Sequence, residues 1–180
     1  MKKAAKQASP KGPDAIVLLK DDHRMVSKMF ERYDKLGESA HAAKLKLART
    51  ICKELKVHTR IEEEIFYPAA LKALPQEKDL LDEAEVEHQG AKNLIAELGR
   101  MKPGDDLFDA KVTVLAEYIK HHVKEEHEEM FPKVRKTDID LRALGMRMAA
   151  RKRVLAKRSF SRTSRPTPSP PLPSDPSRCG

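Results

Sequence analysis

The sequence predicts an all-α protein: an antiparallel up-down-up-down four-helix bundle with a short extra C-terminal helix and a disordered tail. Three observations carry this expectation. Four long stretches repeat apolar residues every three or four positions, as one face of a helix does. Gly and Pro breaks between them leave only short connections, which make consecutive helices antiparallel neighbours. The 180 residues hold seven Gly and no Trp, with only 4% aromatic residues, so the core must come from Leu, Ile, Val, Ala and Met on good helix formers.

Each element follows in order. Pro10, Gly12 and Pro13 end a basic leader, and Ile16, Leu19, His23, Val26 and Phe30 then mark the first helix. Gly37 to Ser39 read as a break. The second stripe, from about Ala42, carries Ile51, Leu55, His58, Glu62 and Ile65, with Pro68 expected to kink or end it and Pro75 to close the connection. The third runs Leu81, Ala84, His88, Ala91, Ile95 and Leu98 up to "MKPGDD", where Pro103 and Gly104 turn the chain. Asp105 or Asp106 is the expected cap of the fourth helix, whose stripe is Leu115, Ile119, His122, Glu126 and Met130 before Pro132. Thr137 or Asp138 is expected to start the extra helix, with Leu141, Leu144 and Met148 against the bundle. From about Ser159 the Ser, Pro and Arg content leaves too few apolar residues to offset ordering entropy. The expected organisation is a basic disordered leader at 1–12, the bundle at 13–136, an accessory helix at 137–158 and a disordered tail at 159–180.

The net charge of +8 resides at the ends. Met1 to Gly12 carries +4 and Arg151 to Gly180 carries +7, which leaves −3 for Pro13 to Ala150. That excludes a nucleic-acid-binding role for the bundle itself, although "RKRVLAKR" is suited to non-specific contact with polyanions. Two cysteines, Cys52 and Cys179, make no disulfide framework. No apolar run is long enough to span a membrane, and the Lys-rich start lacks the core of a signal peptide. The expectation is a cytoplasmic protein with no membrane partner and no specific nucleic acid.

The chemistry lies in a repeated phrase. "VHTRIEEEIFYP" and "HHVKEEHEEMFP" align His58 with His122, Glu62 with Glu126 and Pro68 with Pro132. Histidine and glutamate four apart share a helix face. With His23 and His88, each on another apolar stripe, four histidines and two glutamates converge on the bundle interior. A buried carboxylate without a partner costs several kcal/mol, and the core stripes hold no Lys or Arg. A metal resolves this: imidazoles and carboxylates together favour iron, with zinc or manganese also compatible with the ligand types. A carboxylate has two oxygens and can bridge, so two glutamates suit two ions. In two six-coordinate irons the four histidines, two bridging glutamates and one bridging oxo or hydroxo oxygen leave two positions open.

His121 and Glu125 form a second HxxxE pair, displaced by about 100° around the helix. The proline register and the apolar stripe both select His122 with Glu126. His121, His127 and His41 are expected at the surface by default, with a supporting place behind the ligands as the alternative for His121 and His127.

With "DHR" at His23, "HTRIEEEIFYP" at His58, "EVEHQGAKNLIAEL" around His88 and "HHVKEEHEEMFP" at His122, the chain resembles the hemerythrin-like family, in particular its HHE cation-binding branch, over about Asp14 to Arg135. The resemblance implies a four-helix bundle around a non-haem di-iron centre that meets dioxygen or related oxidants. His23, His58, His88 and His122 match the family's histidine ligands, and Glu62 and Glu126 its bridging carboxylates. Oxygen-carrying members place two histidines four apart on the third helix, where this chain has Ala84 and Lys92 on either side of His88. Carriers also put the last bridging acid five residues after its histidine, at the position of His127 here. The missing fifth histidine argues against simple reversible oxygen carriage and leaves a more open iron, or one completed by Glu85, Glu63 or Tyr118.

The leading expectation is a di-iron protein that binds or reduces dioxygen, peroxide or nitric oxide in sensing or oxidative-stress defence, with a weak peroxidase- or catalase-like activity compatible with such a site. An iron-storage, iron-donation or iron-sensing module is the alternative. A metal-free adaptor acting through its basic ends ranks last, because it leaves the interior His and Glu layer unexplained.

Overall fold

Asp14 starts the first helix. Its Oδ1 accepts from the backbone N–H groups of Ile16 at 2.9 Å and Val17 at 3.1 Å, satisfying two donors that a helix N-terminus leaves free. In the structure, a computed structural model that describes residues 12–162, α1 runs Ala15–Asp34. α2, His41–Ile61, passes through one π turn at Glu62–Phe66 into α3, Tyr67–Ala73. A 3-10 turn at Pro75–Glu77 leads to α4, Lys78–Leu98. α5, Phe108–Glu125, passes through a second π turn at Glu126–Met130 into α6, Phe131–Val134. α7 spans Leu141–Arg162. The architecture is the expected helical bundle: α1, the α2–α3 rod, α4 and the α5–α6 rod are its four arms. Among the described residues there is no strand, and no helix is long and apolar enough to cross a membrane.

Pro68 and Pro132 do not end their helices. Proline lacks an N–H and its ring crowds the carbonyl four residues earlier; here each rod widens by a turn just before the proline. The N–H of Tyr67 bonds to the Glu62 carbonyl and that of Phe131 to the Glu126 carbonyl, five residues back. The extra residue advances the register. Phe66 is therefore fully buried while Ile65, expected on the stripe, is only half-buried.

Two expected caps are corrected. Asp105 does not cap α5 but accepts from the N–H of Lys102 at 2.9 Å, bracing the turn, and Leu107 precedes α5 in the left-handed region at φ 67°. α7 is capped by Asp140, whose Oδ1 accepts from Arg142 and Ala143; Thr137 instead donates its hydroxyl to the Val134 carbonyl. The extra helix is present, shifted a few residues toward the C-terminus. At 22 residues it matches the arms of the bundle, and its backbone stays helical four residues past the expected end at 158. It lies against α1 at Gly145, where a Cβ would stand 2.0 Å from the carbonyl oxygen of Pro13. The expected disordered leader, except Gly12, and the tail from 163 onward lie outside the described residues.

The core divides into two apolar zones. One contains Ile16, Leu19, Ile61, Phe66, Phe131 and Val134, and is sealed by Leu144 and Met148 of α7. The other contains Val26, Phe30, Ile51, Leu55, Ile95 and Leu115. Between them lies a single polar layer, contributed by every arm.

Candidate metal centre

His23 of α1, His58 of α2, His88 of α4 and His122 of α5 meet in that layer with Glu62 and Glu126, the first residues of the two π turns. Each of the six is 5% exposed or less. The imidazoles pair through Nε2: His23 and His58 at 2.8 Å, His88 and His122 at 3.1 Å. Glu62 stands between the pairs. Its Oε1 is 3.0 Å from Nε2 of His58, and its Oε2 is 3.4 Å from Nε2 of His88. Oε2 of Glu126 lies 3.3 Å from Nε2 of His23 and 3.8 Å from Nε2 of His122. Two groups with metal-ligand spacing result, His23, His58, Glu62 and Glu126 in one and Glu62, His88 and His122 in the other, sharing Glu62.

The outward ring nitrogens are all engaged. Nδ1 of His88 meets Glu63 at 3.0 Å, Nδ1 of His122 meets Glu87 at 2.8 Å, and Nδ1 of His58 meets Asp22 at 3.4 Å. An ionised carboxylate only accepts, so these Nδ1 atoms carry protons and each ring turns its Nε2 inward. Nδ1 of His23 has a different partner, Nε2 of His127 at 3.0 Å.

Six Lewis bases thus face one dry layer. Although imidazole nitrogens approach them, both oxygens of Glu62 and Oε2 of Glu126 have no hydrogen-bond partner. Buried polar atoms are rarely left in that condition. The two carboxylates cannot both be charged by protein groups alone. Burial, reinforced by the charge of Glu62, pushes the carboxyl of Glu126 up to about 8. Burial also opposes ionisation of Glu62, but His58 beside it outweighs that and draws it down to about 2. His23 is driven down to about 2 by burial and by His58. One added source of positive charge satisfies all these groups, and a metal cation fits the donor set.

The other candidates fall elsewhere. Glu63 is at the centre but on its outer side, between His88 and Lys92. Glu85 is exposed, and Tyr118 is 49% exposed. His121 is 62% exposed and pairs with Glu125 at 3.1 Å and Glu87 at 3.4 Å, a surface group that also has metal-ligand spacing. His41 is exposed as expected. His127, expected at the surface, is half-buried on His23.

Tyr67 is the residue that sequence reasoning missed. Its hydroxyl donates to Oε1 of Glu126 at 3.1 Å and stands 3.4 Å from Nε2 of both His88 and His122. The available signal was the aromatic-Pro ending of the repeated phrase. A proline that forces a π turn brings the residue five after the glutamate onto its face, in place of the one four after. Phe131 is the counterpart in the other copy, stacked on His23 at 6.1 Å with no hydroxyl to offer.

The space beside the layer, bounded by Val26, Leu55, Ile119 and Val123, is about 10 Å³, no more than a single water needs. A groove of about 770 Å³ between α2 and α4 contains none of the six residues.

Comparison with known proteins agrees with this architecture. Residues 14–134 match the model of the hemerythrin HHE cation binding domain. The fold is similar to the crystal structure of a hemerythrin HHE cation binding domain-containing protein from Mycobacterium kansasii, with a TM-score of 0.71 and 24% identity over 84% of this chain and 94% of that one. No curated protein matches the chain.

Proposed function

Because the chain belongs to the hemerythrin HHE cation-binding domain family, we propose that His23, His58, Glu62, His88, His122 and Glu126 hold two iron ions with which the protein binds or reduces dioxygen, peroxide or nitric oxide, in sensing or oxidative-stress defence. The observation that carries this reading is the set of orphaned carboxylate oxygens facing two converging imidazole pairs. Glu62 has one oxygen toward each pair, an arrangement that would suit a carboxylate shared between two ions. Iron supplies a ferrous–ferric couple and Lewis acidity at the layer.

The protein's own residues do the rest. Asp22, Glu63 and Glu87 hold the outer nitrogens of three ligand rings, which fixes the tautomer and ring orientation. The two apolar zones keep bulk water from the layer, and the space beside it is too small for an organic substrate. Tyr67 offers a hydroxyl on the His88 and His122 side, as a hydrogen-bond donor or a further oxygen ligand.

Anaerobic loading with ferrous iron, followed by elemental analysis and visible spectroscopy in air, tests the reading. Two irons per chain and a visible charge-transfer band are expected, with spectral change on adding peroxide or nitric oxide. A protein that stays colourless and takes up no iron would falsify it.

A further inference from the structure

α7 lies beyond the residues that match the family, yet it reaches the metal centre. Nζ of Lys152 donates to Oδ1 of Asp22, and Oδ2 of the same carboxylate meets Nδ1 of His58 at 3.4 Å. Asp22 is 7% exposed, so Lys152 and His58 are the groups that hold its carboxylate in place. The opposite side of the centre repeats the pattern. Lys92 pairs with Glu63 at 2.5 Å, and Glu63 meets Nδ1 of His88 at 3.0 Å. There the lysine comes from α4, the helix that carries His88; on the His58 side it comes from outside the four arms.

The neighbouring residue strengthens the link. Arg151 donates to Glu64 at 2.5 and 3.0 Å, and Glu64 sits in the π turn that begins with Glu62. α7 therefore grips both the carboxylate behind one ligand histidine and the turn that presents the bridging glutamate.

We propose that Lys152 is a positioning residue of the metal centre, and that α7 is the element through which the chain sets how firmly the ion on the His23–His58 side is held. The proposal rests on the two-ion reading above. An ammonium on Asp22 keeps that carboxylate turned toward Nδ1 of His58, which holds Nε2 toward the ion. Without it, Asp22 is a nearly buried carboxylate whose remaining partner is a long contact. It is then free to turn toward water, which releases His58. His88 and His122 keep Glu63 and Glu87, so their side is unaffected.

The test uses the full chain loaded with ferrous iron, comparing wild type, Lys152→Met and Lys152→Arg. Iron per chain is followed over time in excess ferrous chelator, and each stripped protein is melted separately. In Lys152→Met, one of the two ions is expected to leave about tenfold faster, the low end for loss of an outer partner, while the other leaves at the wild-type rate. Lys152→Arg is expected to retain slow release, and the stripped variants to melt with the stripped wild type. Wild-type release of both ions from Lys152→Met overturns the proposal. So does equal acceleration of both together with a lower melting temperature of the stripped protein, which would make Lys152 a purely structural clamp. A wild type that never takes up two ions is a separate result and overturns the two-ion reading along with it.

Discussion

The hydroxyl of Tyr67 donates to Oε1 of Glu126 at 3.1 Å across 59 residues of chain. It joins the end of one copy of the repeated phrase to the glutamate of the other. Phe131, in the equivalent place, donates nothing, so two halves built on one pattern are chemically unequal.

Tyr67→Phe should keep the fold and both irons, with a stability loss of about 1 kcal/mol for one buried hydrogen bond. The visible spectrum of the loaded protein should nevertheless shift, because the group removed stands beside two ligand histidines and a ligand carboxylate. An unchanged spectrum and unchanged reactivity with peroxide would remove Tyr67 from the site's chemistry.

Glu62→Ala and Glu126→Ala should each abolish two-ion occupancy, since each deletes a carboxylate lying between the imidazole pairs. Elemental analysis after ferrous loading is the readout. If both ions stay bound after either change, the bridging assignment is wrong.

Glu126→Gln should weaken iron binding yet stabilise the metal-stripped protein at neutral pH, by on the order of 1–3 kcal/mol. The folded carboxyl is raised from 4.5 to about 8, so the native state binds more protons than the unfolded one above pH 4.5 and stability falls as pH rises. His58, raised from 6.5 to about 10 against the pull of burial by Glu62 and Asp22, adds its own decline only above about pH 6.5. His23, lowered from 6.5 to about 2, adds a gain in stability with rising pH to both proteins in the window from 4.5 to 6.5, so there the difference between them reports Glu126. Denaturant titrations should show the advantage of the variant over wild type growing across that window, and a constant difference would mean that the Glu126 carboxyl is not raised.

Removing iron from the loaded wild type should lower its thermal midpoint, because an ion held only by the folded layer stabilises by mass action, about 2.7 kcal/mol at a hundredfold excess over the dissociation constant. Melting curves with and without chelator give the comparison, and coincident curves would mean that the layer does not bind the ion.

Gly145→Ala should destabilise the protein by about 2 kcal/mol or more. The added Cβ meets the Pro13 carbonyl at 2.0 Å and the Ala15 nitrogen at 2.8 Å, backbone atoms that cannot move aside as a side-chain tip can. Denaturant unfolding measures the loss, and a variant as stable as wild type would show that α7 does not press against the start of α1.

Periodicity alone identified four arms, their order and the stripes that bury His23, His58, His88 and His122, because a helix facing a core must repeat its apolar residues at its own pitch. It also placed Glu62 and Glu126 on those stripes. The outcome at the prolines was less accessible. Pro68 and Pro132 read as kinks or ends, whereas a rod packed on three neighbours gains more by widening one turn than by stopping. That choice buried Phe66 in place of Ile65 and turned Tyr67 to the ligands. Glu85 and Tyr118 shared a helix with a ligand histidine, but their directions carried them to solvent.

From the sequence by itself came the helical bundle, the polar layer within it and the residue types that suit a cation, since all of these follow from local pitch and the cost of burying charge. Only the tertiary structure decided what surrounds that layer: Asp22, Glu63 and Glu87 behind three rings, His127 behind the fourth, Tyr67 beside one half and Lys152 reaching in from α7. Those contacts join residues up to 130 positions apart, and no periodicity along a chain encodes which distant side chain packing will bring alongside.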